Sequence, residues 1–250
     1  MENYLETLEV TLPDTSKVTI RLQNGNDEDI LSRVGDAQKS TNIAKYLSSI
    51  IVEPKLSWED INNWKVSNKY YLLVASRVFN FGPEFMFDQE IEFNGSKLTQ
   101  NFTEDLSKFL VNFDDPENIE KVTKENPLVC KPYKLENTSF REFTLSNGRK
   151  IKYDLLTGEG ELKISKIKQE DIRINDVLRA RNLSIFNNDK NTYEIVLDYG
   201  TLSSKELLEI RKDVQEYDYQ YGMEMELELP DGNKMQVSMI QYPEFFFPQF

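Results

Sequence analysis

The sequence predicts an α+β fold in two pseudo-repeated halves, each built of β-hairpins packed with two or three helices. Three observations predict it. Short alternating apolar segments come in pairs around turn dipeptides. Between the pairs lie apolar stripes of helical period. The order hairpin, helices, glycine, hairpin then occurs twice.

The first hairpin is VTLPDTSKVTIRLQNG, where Val10 and Leu12 alternate outward and Val18, Ile20 and Leu22 alternate on the return. The acidic run Asp27-Glu28-Asp29 suits the first turn of a helix, whose dipole favours negative charge. A second helix is expected over residues 36–52, with Ile43, Leu47, Ile50 and Ile51 on one stripe and Pro54 beyond it. Ser57 to Asp60 reads as a capping box. NKYYLLVASRVFNFG leaves almost no polar face, so a buried helix is expected, closed by Gly82 and Pro83. Phe85, Phe87, Gln89, Ile91 and Phe93 then share one strand face, and Asn94-Gly95 signals a tight hairpin. Thr103 is expected to cap a helix carrying Leu106, Phe109, Leu110 and Phe113.

Residues 114–138 hold Pro116, Pro127 and Pro132 and show no clean period. They read as a linker between an N-terminal half, 1–113, and a C-terminal pseudo-repeat, 139–250, with an aromatic tail. FTLSNGRKIKYDLLTG is again strand, Asn147-Gly148 turn and strand, matching the first hairpin in order, period and turn chemistry. Thr157 to Gly160 reads as a hairpin end, since the third glycine of a dinucleotide fingerprint is missing. Residues 168–181 are expected to be mostly helical, and LSIF and YEIVL to be strands. Ser203 to Glu206 is a capping box, opening a helix with Leu207, Ile210, Val214 and Tyr217 on one face. Gly222 corresponds to Gly82; Met223, Met225, Leu227 and Leu229 then alternate with Glu224, Glu226 and Glu228, and after the Asp231-Gly232 turn Met235, Val237 and Met239 alternate back.

The composition narrows the function. Of 250 residues, 43 are Asp or Glu and 30 are Lys or Arg, a net charge of −13. That argues against a nucleic-acid binder, which needs clustered cations. With no histidine there is no Ser-His-Asp or Cys-His triad and no imidazole ligand. A single cysteine, Cys130, makes neither an internal disulfide nor a cysteine-built zinc site. The acidic runs at 27–29 and 114–117 lack the spaced ligands and central glycine of a calcium loop. No apolar run is long enough for a membrane span and no signal pattern opens the chain. No catalytic residue, cofactor or metal is therefore expected. The unusual feature is the ending YPEFFFPQF. Phe245, Phe246, Phe247, Pro248 and Phe250 form an apolar tail that either returns to its own core or anchors in a partner.

These motifs, in this order, resemble the baseplate hub assembly family of contractile-tailed, T-even-type bacteriophages. The resemblance is carried by Leu12-Pro13, Val18 to Arg21 and Asp27 to Leu31, by Leu72-Leu73, Arg77 and Phe81 to Phe85, and by the terminal helix, glycine, hairpin and Phe-Phe-Phe-Pro. It spans nearly the whole chain. It implies a non-enzymatic tail structural or assembly protein, a hub subunit or hub assembly factor. Such a protein works by contact with other tail and baseplate proteins, as an expected hetero-oligomer, in the virion tail or in the host cytoplasm during assembly. Cysteine pairs that the family's pattern places in the hairpins after the two glycines are replaced here by turn residues, so zinc is not carried over. Two alternatives stand beside this reading: a tail-assembly chaperone that holds the tape-measure protein and is absent from the virion, and an Asp/Glu-dependent cell-wall hydrolase.

Overall fold

A computed structural model describes residues 6–32, 39–93, 96–125, 139–167, 171, 173–218 and 224–248. Helices alternate with small antiparallel sheets, so the fold class is α+β. The first unit is β1 (Thr7–Thr11), β2 (Lys17–Arg21) and α1 (Gly25–Ser32), followed by α2 (Lys39–Ile50) and β3 (Ile51–Glu53). The sheet order is β1-β2-β3. The chain passes from α2 directly into β3, so the predicted helix stops at Ile50, where Ile51 pairs with Ile20. Next come α3 (Trp58–Asn62), opened by the predicted Ser57 capping box, and the buried α4 (Val66–Phe81), closed at Gly82.

The long hairpin of β4 (Glu84–Phe93) and β5 (Ser96–Asp105) follows, with Phe93 paired to Ser96. Asn94 and Gly95 lie outside the described residues. Thr103 caps no helix: it lies within β5, paired with Met86. The cap is Asp105, whose side chain accepts the N–H of Ser107 and opens a 3-10 turn, Leu106–Phe109. Pro116–Glu125 is a helix, α5, inside the segment expected to be a linker. Pro116 stands at its first position, where its missing N–H costs nothing. Asp114 and Asp115 precede it, and linker residues 126–138, with Cys130, lie outside the described residues.

The C-terminal part holds β6 (Phe140–Thr144), β7 (Lys150–Asp154), α6 (Gly158–Ser165), α7 (Asp176–Arg179), β8 (Ser184–Asn187) and β9 (Thr192–Ile195), in a sheet of order β6-β7-β8-β9. Thr157 to Gly160 is a helix start, not a hairpin end: Thr157 caps α6 by accepting the N–H of Gly160. Both glycines answer to packing. A Cβ on Gly158 would stand 2.8 Å from the backbone oxygen of Asn62, and one on Gly160 2.7 Å from a Leu156 methyl. The capped α8 (Ser204–Tyr217), the hairpin β10 (Glu224–Glu228) and β11 (Lys234–Ser238), and a short α9 (Pro243–Phe246) complete the chain.

Three hairpin turns are built alike. In Leu12 to Ser16, Leu145 to Arg149 and Leu229 to Asn233, the leucine N–H donates to the fifth residue's carbonyl, and the fourth residue's N–H donates back to the leucine. The third residue (Asp14, Asn147 or Asp231) accepts the fifth residue's N–H through its side chain. The fourth is left-handed in all three: Thr15 at φ 69°, Gly148 at 87° and Gly232 at 79°. This is the three-residue hairpin loop that needs one residue of positive φ.

The start of each half coincides at one constant offset: Thr7 with Phe140, Lys17 with Lys150, Gly25 with Gly158 and Ile51 with Ser184. β2 pairs with β3 as β7 pairs with β8. Beyond that the halves diverge. α2 has 12 residues where α7 has 4, and β9 stands where the first half carries α3. The described residues form two cores. One joins β1–β3, α2, α4 and β4 to the C-terminal hairpin and tail, through Met225, Leu227, Val237, Met239, Tyr242 and Phe245. The other lies under β6–β9 and α8, around Ile151, Tyr153, Leu178, Leu183 and Ile210.

Candidate interaction surface

The aromatic tail divides. Pro243 opens α9, which turns Phe245 inward until it is 1% exposed. Its ring packs edge-on against Phe85 at 5.7 Å and Phe246 at 5.1 Å, while Tyr242 lies 4.3 Å from Phe87 and donates its hydroxyl to Gln89. Phe246 and Pro248 are half-buried, and Phe247 is exposed. Phe250 lies outside the described residues. Phe245 therefore fills this chain's own core, and among the described residues Phe247 is the tail ring left at the surface.

Other apolar side chains meet solvent on strands. β9 ends its sheet, with no strand on its outer side among the described residues. Along it and just beyond, Val196 turns into the core while Ile195 is 59% and Leu197 88% exposed. An open edge flanked by apolar side chains is the kind of surface that proteins usually cover. On the long hairpin, Met86 and Leu98 are exposed on opposite faces, because Met86 pairs with Thr103 and Leu98 pairs with the inward-facing Ile91.

The charges within α4 are Lys69 and Arg77, and both are buried. Lys69 reaches across to the other half. Its ammonium donates to Ser40 Oγ at 2.6 Å and to Glu161 on α6. Ser40 and Tyr70 donate to the same carboxylate at 2.9 and 2.8 Å. Beside this cluster the β-bridge between Lys65 and Thr157 and the bond from Val66 N–H to Leu156 join the halves through backbone. Burial pulls the Lys69 ammonium below its ordinary pKa, against the pull of Glu161. A serine–lysine nucleophile needs a neutral amine that accepts the hydroxyl proton. Here the ammonium donates to the serine and the serine proton points at Glu161, so the cluster is a clasp between halves. The sequence reading passed over Lys69 and named Arg77 only among the residues that carry the resemblance. Their signal was two cations in a helix with no other charge.

The acidic runs are absorbed in the fold. Asp27 is held by Arg21 at 2.7 and 3.1 Å and by Ser49 at 2.7 Å. Burial pushes its carboxyl up, but these donors and the Asn24 N–H outweigh that and hold it below its usual range. Asp114 accepts from Thr11 and pairs with Lys17. Among the described residues no group of His, Cys, Asp and Glu could hold a metal ion, and no helix is long and apolar enough to cross a membrane. Among the predicted turn residues, Gly82 and Gly232 take positive φ, and Asp231 accepts the Asn233 N–H. No family model, curated protein or solved structure matches the chain.

Proposed function

We propose that the chain is a non-enzymatic assembly protein of a contractile phage tail, a baseplate hub subunit or hub assembly factor acting by protein–protein contact. The family resemblance supports the reading, and the observation that carries it is the open edge at β9 with Ile195 and Leu197 in solvent. A neighbouring subunit that covers this edge would satisfy its backbone groups and bury two large apolar side chains, each worth about 1.5–3 kcal/mol. The net charge of −13 suits basic partner surfaces and disfavours capture by nucleic acid. In this reading the two halves descend from one hairpin–helix unit. The constant offset of β1, β2, α1 and β3 supports that descent, and the divergent parts carry the contacts.

The test is deletion of the gene, followed by electron microscopy of tails and mass spectrometry of purified particles. The reading expects arrested or malformed baseplates. Normal tails formed without the chain would contradict it. Presence in finished particles marks a resident subunit, and absence combined with arrested baseplates marks an assembly factor.

A further inference from the structure

We propose that the cavity beneath α9 is a binding site for a single halide ion, chloride under ordinary conditions, held by Arg77 and Gln23. The cavity measures about 10 Å³, room for one small sphere, and is walled by Gln23, Tyr46, Arg77, Phe81, Phe245 and Phe246.

Its polar groups define the occupant. Gln23 Oε1 accepts the Tyr46 hydroxyl at 2.9 Å, which leaves Nε2 as a donor. Gln23 Nε2 and Arg77 Nε are both buried and have no hydrogen-bond partner among the described residues. Two donors without an acceptor call for an occupant that accepts twice.

Charge then selects an anion over water. Arg77 is 4% exposed, and its other nitrogens donate to the carbonyls of Gly82 and Glu84 at 3.0 and 3.1 Å. No carboxylate pairs with it among the described residues. The other buried cations among the described residues, Arg21, Lys69 and Arg181, each have one in Asp27, Glu161 and Asp218. A buried cation without a counter-charge is costly, and burial, opposed in part by Tyr46, pulls the Arg77 guanidinium down to about 10. A halide supplies the missing charge, which a water would not, although the Ser76 hydroxyl also lines the cavity. Because Phe245 and Phe246 cover the site, occupancy also stabilises the seating of α9.

The test uses the whole chain without any partner, so it stands apart from the assembly role. Thermal unfolding is compared in sodium chloride and sodium gluconate at matched ionic strength, and crystals grown in bromide are examined for anomalous scattering. Chloride should raise Tm by roughly 2–4 °C over gluconate. Bromide should give a peak between Arg77 and Gln23. Arg77→Met should abolish the chloride increment and Gln23→Leu should reduce it. The wild-type measurements decide the matter if neither variant folds. Equal Tm in the two salts, or a water refined at the position with no bromide peak, would overturn the proposal.

Discussion

Among the described residues, Thr15 is the one whose backbone least suits its side chain. It takes φ 69° in a turn whose two counterparts use glycine, and a β-branched residue there costs about 1–2 kcal/mol relative to an unstrained conformation. Thr15→Gly should therefore stabilise the chain by about 1 kcal/mol in urea unfolding, after the entropy glycine adds to the unfolded chain. Lys69 makes the opposite case. Removing one member of a buried pair strands the other, so Lys69→Met should cost about 3–5 kcal/mol. Lys69→Met combined with Glu161→Gln should recover part of that loss. Additive losses in this double-mutant cycle would show that the clasp does not act as a pair.

At the scale of elements, α8 depends on its first turn. Ser203 and Glu206 cap each other reciprocally, and Glu206 also accepts from Asn147 and Arg149 at 2.9 and 2.6 Å. The Ser203 backbone N–H, with these side-chain donors, pulls the Glu206 carboxyl down to about 2. Because the folded value lies below the unfolded one, this stabilisation is complete above the ordinary glutamate pKa and is lost as pH falls towards 2. Tm should fall over that acid range, and Glu206→Gln should flatten the fall. The hairpins, α4 and α8 were legible in the sequence because period and turn chemistry are local. α6 was not: two glycines disfavour a helix, and what requires them is close packing, of Asn62 from a distant segment against Gly158 and of the preceding turn's Leu156 side chain against Gly160. The helix expected after Thr103 failed because strand pairing with β4 runs on to Asp105, which then becomes the cap.

Across the whole molecule, the C-terminal hairpin and tail complete the core of the N-terminal elements. An aromatic run reads the same whether it fills its own core or a partner's, because the same burial drives both. That is why the sequence left the tail's destination open. Its residues now separate by test. Phe245→Ala should cost about 3–5 kcal/mol of stability, whereas Phe247→Ala should leave unfolding within about 0.5 kcal/mol of wild type. Truncation after Pro243 should destabilise the fold, since it removes Phe245. Equal effects of the two alanine variants would contradict this division of the tail.

Action by contact at the uncovered β9 edge is tested most directly by placing charge there. The chain carrying Ile195→Lys and Leu197→Lys is co-expressed with the products of its neighbouring genes and purified. The prediction is an unchanged Tm together with loss of the co-purifying tail subunit that binds the wild-type chain. Undiminished co-purification by a fully folded variant would contradict it.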